Sequence, residues 1–250
     1  MTNWPTFTVV LILFISTLIR SAFGFGEALI AVPLLALLMP VEIAAPLAVL
    51  ASITIALLIL IQDWRLVDLR EAGWLVISTL LGIPFGLLLL KTVAEPAVKT
   101  ILAAIIIAFS AYSLASRHTR QLTDDRFAWI FGFHAGVLGG AYGMNGPPLA
   151  IYGTLRRWPP ERFRATLQGY FLPASLAGMA GYFFAGLWTP VVNHFYLISL
   201  PAVVIATLAG RTLNRRLSAP RFALHVYIGL ITIGMVLLCQ AVLGWSRVFN

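Results

Sequence analysis

The sequence predicts an all-α integral membrane protein with about eight transmembrane helices in two four-helix repeats. Three observations lead to this fold class: the composition, the spacing of the apolar stretches and matching features in the two halves. Of the 250 residues, 60% are hydrophobic and 10% are charged, and the mean hydropathy is +0.93. Such a composition is typical of a chain whose main solvent is lipid. Eight spans of about twenty residues would use most of the length, so we expect no separate soluble domain.

Eight apolar stretches define the predicted spans. They cover residues 7–39, 43–61, 73–90, 98–115, 127–155, 166–186, 194–210 and 222–243. The first has no basic residue before it, so it is interpreted as a span and not as a cleavable signal peptide. The stretches 7–39 and 127–155 are longer than a hydrocarbon core of about 30 Å requires. Because both also contain glycine and proline, each is expected to be a broken or re-entrant helix.

The two halves align with an offset of 119 residues. This offset pairs Gly24 with Gly143, Ala31 with Ala150, Pro40 with Pro159 and Glu42 with Glu161. The expected units are a first repeat at 1–116, a connecting loop at 117–126 and a second repeat at 127–250. Four crossings would return each half to its starting side, so we expect parallel repeats related by an axis along the membrane normal.

Basic residues set the expected orientation. The loops at 91–99, 156–164 and 211–221 contain ten Lys and Arg residues, against six in the opposite loops and the C-terminal segment. Since cytoplasmic loops are enriched in basic residues, the first set is expected in the cytoplasm. The loop at 117–126 and both termini are then expected on the outer side of the membrane.

The first candidate site surrounds Gly24, Gly26 and Glu27. The two glycines loosen the helix, and Glu27 is the one acidic residue in an apolar run of more than thirty. An ionised carboxylate in hydrocarbon costs several kcal/mol, so Glu27 must face a cavity, pair with a cation or bind a proton. Arg20 lies seven residues earlier. Two interpretations stay open: a structural Arg20–Glu27 pair, or a proton-binding or gating carboxylate beside the substrate path.

The second candidate site is the helix break at Gly143, Asn145 and Gly146. Pro147 and Pro148 lack N–H donors and push the preceding residues out of the helical region. Two broken helices at equivalent places in two repeats are typical of a midplane site in a secondary transporter, where helix N-termini face an anion. The site is expected to be asymmetric, with Asn145 where Gly26 or Glu27 stands in the first half. Glycines at 132, 136 and 140 recur every four residues, which indicates close helix packing.

Three further side chains are candidates near these breaks. Arg164 and Gln168 are one helical turn apart on one face. Arg164 either leads an anion toward the pore or contacts lipid headgroups, and Gln168 extends that polar face into the span. His134 is either a proton carrier or a hydrogen-bonding partner of a neighbouring helix. Ser52 and Ser175 are weaker candidates, because hydroxyls in membrane helices commonly bond their own backbone.

Several function classes are not supported. The single Cys239 allows no internal disulfide, the chain has no Gly-x-x-x-x-Gly-Lys loop for ATP, and its basic residues lie mostly between spans and not in a nucleic-acid-binding patch. Glu27, His134 and His225 lack metal-ligand spacing. We therefore expect no enzyme activity, no cofactor and no metal. The remaining alternative of another class is a membrane-embedded enzyme or an assembly factor.

Three segments carry a resemblance to a known family. The segments Gly24 to Pro33, Gly139 to Pro148 and Phe163 to Leu167 resemble the TauE/SafE family of sulfite and organosulfonate exporters. The usual first-half motif of that family is similar to Gly-x-Gly-Gly-Gly, and here Phe25, Gly26 and Glu27 replace part of it. The resemblance implies a bacterial inner-membrane permease for small sulfur-containing anions. Carriers of another small anion or of a cation stay open, as does homo-oligomerisation; the expected partners are the substrate and membrane lipids.

Overall fold

The computed structural model describes residues 6–64, 67–115, 121–124, 126–214 and 219–248. Within these ranges the chain forms ten helices and no strand. The helices are α1 Thr6–Phe23, α2 Glu27–Ala36, α3 Val41–Asp63, α4 Leu69–Thr92, α5 Glu95–Ala115, α6 Phe127–Tyr142, α7 Gly146–Leu155, α8 Pro160–Phe184, α9 Pro190–Asn214 and α10 Ala219–Val248. Five helices, α3, α4, α5, α9 and α10, are long and apolar enough to cross a membrane. The chain is an all-α membrane protein.

The helix is interrupted at both of the predicted positions. Between α1 and α2, Gly24 and Gly26 have φ values of 88° and 101°, in the left-handed region that favours glycine. Between α6 and α7, Gly143 has a φ of 64° and ends α6. Asn145 precedes the first residue of α7, and two prolines follow within the first turn, where a missing N–H costs no helical bond.

Helices α6 and α7 form a helical hairpin. Helix α6 runs parallel to α4, because Gly132 lies against Leu75 and Gly140 lies against Leu87. Helix α7 runs back along α6, since the rings of Phe131 and Tyr152 are 5.5 Å apart. At the end of α7, the Leu155 carbonyl accepts a 2.9 Å hydrogen bond from the N–H of Leu122, just before α6. The hairpin therefore starts and finishes at the same end of the bundle.

A glycine seam joins α4 and α6. A Cβ on Gly136 would lie 2.9 Å from the Cα of Gly82, and one on Gly86 would lie 2.9 Å from the Cα of Gly140. Thr79 also donates a 2.8 Å hydrogen bond across the seam to the Gly132 carbonyl. The close packing predicted from the glycine spacing is present, with α4 as the partner helix.

The α1–α2 hairpin and the α6–α7 hairpin enter the bundle from opposite ends. Helices α3 and α8 are antiparallel, since Ser52 contacts Ser175 whereas Val67, just beyond α3, contacts Gly169 near the start of α8. Helix α2 leads into the start of α3 and α7 leads into the start of α8. The predicted parallel repeat would make α3 and α8 run in the same direction, whereas here they run in opposite directions. Each broken pair is followed by three long helices, α3–α5 and α8–α10.

The hairpin tips make equivalent contacts. The α1–α2 tip lies on α8, where a Cβ on Gly24 would be 3.1 Å from the Cγ of Arg164. The α6–α7 tip lies on α3, where a Cβ on Gly143 would be 2.9 Å from the carbonyl oxygen of Ala45. Gly143 lies 119 residues after Gly24, and Arg164 lies 119 residues after Ala45. The offset found in the sequence thus also relates the contacts in space.

One end of the bundle is rich in arginine. We call the end where α4, α6 and α8 begin the basic end. Its basic residues with described side chains are Arg70, Arg126, Arg156, Arg157, Arg162 and Arg164, whereas Lys91 and Lys99 lie at the opposite end. The expected separation of 117–126 from 156–164 is wrong, because the Leu122–Leu155 hydrogen bond joins these segments. The expectation that the loops at 91–99 and 156–164 lie on the same side is wrong as well, because they lie at opposite ends of the bundle. Arg117, Arg120, Arg215 and Arg216 lie outside the described residues.

Candidate functional site

The site is built around the Arg20 guanidinium at the end of α1. Arg20 is 2% exposed. It donates hydrogen bonds to Glu27 Oε2 at 3.2 Å, Ser52 Oγ at 2.5 Å and Gln168 Oε1 at 2.9 Å. The guanidinium carbon also lies 4.6 Å from the centre of the Phe171 ring, within the range of a cation–π contact. Four helices thus position one buried cation.

Glu27 is the anionic partner of this cation. It is 1% exposed and opens α2, so its carboxylate lies at the positive end of the helix dipole. The predicted pairing with Arg20 is present, although the two residues lie on separate helices and not on one face of a single helix. Glu27 Oε1 and Arg20 Nε make no hydrogen bond to the described residues. This ion pair therefore leaves polar atoms unsatisfied, which makes it a weak stabiliser and a candidate for exchange with another partner.

Gln168 and two serines connect the cation to the surrounding backbone. Gln168 accepts from Arg20 through its oxygen and donates a 2.6 Å hydrogen bond to the Gly24 carbonyl. Ser175 donates to Ser52 at 3.2 Å. Gln168 therefore holds both the α1–α2 tip and the guanidinium in place. It does not line the cavity itself, so it affects the cavity by positioning Arg20.

A small cavity separates the cation from the start of α7. Its space for a water-sized group is about 10 Å³, close to what one water molecule needs. Asn145 and Gly146 form the α7 side, and Asn145 also hydrogen-bonds the Tyr170 side chain. The N-termini of α2 and α7 thus face one cavity. It is lined by Arg20, Gly26, Glu27, Ala28, Leu29, Ser52, Asn145, Gly146 and Phe171.

The structure brings most of the predicted residues together. Gly26, Asn145, Gly146, Arg20 and Glu27 line the cavity, and the two caps, Gly26 and Asn145, are 119 residues apart. Gln168 and Gly24 lie directly behind this lining.

Besides Gly24 and Gln168, three predicted residues lie outside the lining. Gly143 packs on Ala45 and Val49 of α3, and the stem of Arg164 packs on Gly24. His134 is exposed on α6, where its Nδ1 lies 2.8 Å from the Ile130 carbonyl one turn earlier. The structure therefore does not place His134 within reach of Glu27, and Gly143 and Arg164 support the tips without lining the cavity.

Sequence reasoning missed Phe171 and gave Ser52 little weight. Both line the cavity, and the repeat offset of 119 residues relates one to the other. Applying the offset to every polar residue in the second span would have pointed to this pair. The described residues contain no cluster of three His, Cys, Asp or Glu that could hold a metal ion.

An ionic cluster fixes the hairpin at the basic end. Arg156, just after α7, pairs with Glu71 of α4, and Arg162 of α8 pairs with Asp68. Partial burial acts to raise the pKa of Asp68, but hydrogen bonds from the Glu71 N–H and from Arg162 outweigh it, so the pKa is lowered. These contacts join the α6–α7 hairpin to α4 and α8.

Two helix breaks whose helix N-termini meet at a buried polar cavity are typical of secondary transporters. The amino-acid sequence agrees with this class. Residues 9–237 match the family described as sulfite exporter TauE/SafE. The chain belongs to this family.

A curated relative covers almost the whole chain. This is the probable sulfite/organosulfonate exporter TauE of Cupriavidus necator, which is 27% identical over 237 residues, or 92% of each chain. No solved structure matches the chain.

Proposed function

We propose that this protein is a secondary transporter that moves a small sulfur-containing anion, such as sulfite or an organosulfonate, across the bacterial inner membrane. The observation that carries the proposal is the Arg20 guanidinium, buried at a cavity where two helix N-termini meet. The family description and the printed name of the Cupriavidus necator relative support an exporter of such anions.

Arg20 is the proposed anion-binding group. A guanidinium offers several N–H donors in one plane, which match the oxygen atoms of sulfite or sulfonate groups. The positive ends of the dipoles of α2 and α7 act in the same direction. A cation as cargo would meet repulsion from Arg20 in the same cavity, so an anion is favoured over a cation.

Glu27 is the proposed proton-binding group. An incoming anion and the Glu27 carboxylate compete for Arg20, because Glu27 Oε2 already occupies one of its donors. Protonation of Glu27 removes this competition and lowers the cost of a second negative charge in the cavity. The anion and the proton therefore load together, and the occupied cavity carries no added net charge for a monovalent anion.

The proposed topology has six crossings and two re-entrant hairpins. Helices α3, α4, α5, α8, α9 and α10 cross, and the repeats at 1–116 and 127–250 are inverted. The basic end faces the cytoplasm, because six arginines with described side chains lie there against two lysines opposite, and basic residues favour the cytoplasmic side. The start of α1 and the end of α10 then face the periplasm.

Cysteine labelling in intact cells tests this topology. In a Cys239→Ala background, Thr92→Cys at the end of α4 is expected to react with a membrane-impermeant thiol reagent. Thr123→Cys, in the segment bonded to Leu155, is expected to react only after the cells are opened. The reverse pattern would place the basic end in the periplasm.

Flux in proteoliposomes tests the transport function. The purified protein is expected to carry radiolabelled sulfite or a small organosulfonate faster than a carboxylate of matched size, and an imposed pH difference is expected to change the rate. Arg126→Gln, which removes an exposed arginine, is the matched control for Arg20→Gln. If a thermal melting curve shows that the protein is folded and yet no anion of this group is transported, the proposed function is contradicted.

A further inference from the structure

A second and much larger cavity opens at the basic end. It has a volume of about 660 Å³ and lies between α5, α7 and α10. We call it the vestibule and define it by Phe25, Phe109, Ala150, Thr154, Arg157 and Tyr227. A volume of this size accommodates a small organic molecule, whereas the cavity at Arg20 has room for about one water molecule.

Helix α7 connects the vestibule to the buried cavity. Gly146, its first residue, lines the buried cavity, and Ala150, one helical turn later, lines the vestibule. The α1–α2 tip divides in the same way, since Phe25 lines the vestibule and Gly26 lines the buried cavity. The two spaces are therefore neighbours along α7, and the Phe25 side chain lies where they would otherwise join.

Aromatic contacts hold Phe25 in this position. Its ring makes an edge contact with Phe163 at 5.9 Å, and Phe163 makes another with Trp158 at 6.3 Å. Its Cδ2 atom lies 3.9 Å from the position that a Cβ on Gly146 would take. Because Gly24 and Gly26 on either side have positive φ values, the backbone around Phe25 can rotate at lower cost than other residues would allow.

Arg157 brings a positive charge to the vestibule. Among the described residues it is the one non-glycine residue with a positive φ, at 54°. This conformation costs about 1 kcal/mol or more for a residue with a Cβ, and a glycine would avoid that cost. The strained arginine places a cation beside the aromatic walls of the vestibule, which attracts anions to the cavity.

We propose that the vestibule is the entrance for the anion from the basic end, and that Phe25 is the barrier between this entrance and the cavity at Arg20. Arg157 raises the local concentration of anions, and rotation of Phe25 away from Gly146 opens the path. The role of the buried cavity as the substrate site rests on the proposed function. Access to that cavity is measured without transport, so the two proposals fail independently.

Thiol accessibility tests the barrier in the full-length Cys239→Ala protein. Ala28→Cys reports on the buried cavity and Ala150→Cys reports on the vestibule; the probe is an anionic methanethiosulfonate reagent. Ala150→Cys is expected to react at least tenfold faster than Ala28→Cys. Adding Phe25→Ala is expected to raise the rate at Ala28→Cys at least tenfold and to leave Ala150→Cys within twofold. Adding Phe109→Ala, which enlarges the vestibule away from Gly146, is the matched control and should accelerate neither thiol more than twofold.

Two further variants keep the test decisive. Phe25→Leu retains apolar bulk, so it should fold even if Phe25→Ala does not, and it should give an intermediate rate at Ala28→Cys. Equal rates at Ala28→Cys in folded protein with the native Phe25, with Phe25→Leu and with Phe25→Ala would overturn the barrier. Arg157→Gly should slow the anionic reagent at Ala150→Cys several-fold and leave a neutral reagent unchanged. An equal change for both reagents, or none, would overturn the role of Arg157.

Discussion

The two hairpin tips share one backbone plan and differ in charge. Arg20 and Glu27 at the α1–α2 tip correspond, at an offset of 119 residues, to Gly139 and Gly146 at the α6–α7 tip. The first tip is bonded to the polar Gln168 of α8, and the second packs on the apolar Val49 of α3. The comparison teaches that two similar hairpin tips each supply a helix N-terminus, whereas the ionisable side chains lie on only one of them.

We call the α1–α2 tip the charged tip and the α6–α7 tip the neutral tip. The largest expected effect comes from removing Arg20, the cation of the charged tip. Arg20→Gln should reduce sulfite flux at least a hundredfold, because the anion loses its charged partner. It should also destabilise the fold by about 3–5 kcal/mol, since Glu27 becomes a buried unpaired charge. The double variant Arg20→Gln/Glu27→Gln should recover most of the melting temperature but not the flux. Recovery of flux in the double variant would assign Arg20 a purely structural role.

The second expected effect concerns the backbone of the neutral tip. Gly143→Leu should prevent the α6–α7 hairpin from docking, because its φ is 64° and a Cβ would lie 2.8 Å from Val49 Cγ2. Thermal melting in detergent should show a loss of several degrees along with the loss of flux. Gly178→Leu on α8, where a Cβ meets open space, is the matched control. Wild-type melting for Gly143→Leu would contradict the described packing.

The third expected effect separates coupling from binding. Glu27→Gln should keep anion binding, seen as a thermal shift with sulfite, and should lose the dependence of flux on an imposed pH difference. Binding persists because the neutral amide mimics the protonated carboxyl group. Glu42→Gln, a second glutamate of the same half outside the cavity lining, is the control. If Glu27→Gln transports at the wild-type rate with unchanged pH dependence, Glu27 is a packing residue.

A smaller effect is expected from the amide of the neutral tip. Asn145→Ala should lower flux about tenfold and leave the pH dependence intact, because Asn145 lines the cavity but carries no charge. It also loses the contact with Tyr170, so Tyr170→Phe, which removes that contact together with the Thr79 hydrogen bond, serves as a control. If Asn145→Ala abolished the pH dependence, coupling would not belong to the charged tip alone.

The smallest expected effect tests the ionic cluster that holds the neutral tip. The lowered pKa of Asp68 means that its stabilising contribution is present above its unfolded pKa of about 3.9 and is lost as the pH falls through the lower folded value. Because such partly exposed pairs contribute about 1 kcal/mol or less, Asp68→Asn should lower the melting temperature by about 2–4 °C at pH 7. A difference that persists after the pH has fallen well below both pKa values would mean that charge is not the cause.

The helix breaks and the charged tip could be predicted from the sequence because their signals are local. Glycine pairs, consecutive prolines and a carboxylate in an apolar run act within a few residues. Local signals do not decide whether a broken segment crosses the membrane or turns back, because the 29 residues at 127–155 are long enough for either. The deciding contacts, such as Leu122 with Leu155, join separate elements.

The expected crossing number also determined the expected topology. Treating 127–155 as a crossing assigned Arg126 and Arg156 to opposite sides, and the basic asymmetry became small. With the hairpin turned back, six arginines with described side chains lie at one end. A larger asymmetry under the alternative count was therefore available in the sequence as a signal for re-entry.

Helix α8 has a consequence for biosynthesis. It is 25 residues long, yet it is not among the helices apolar enough to cross on their own, because it begins with arginines and carries Gln168. Such a helix partitions poorly from the translocation channel into lipid by itself. Asp68 and Glu71 emerge from the ribosome before Arg156 and Arg162, so their carboxylates are in place when α8 arrives. Insertion of α8 thus depends on elements that were synthesised earlier.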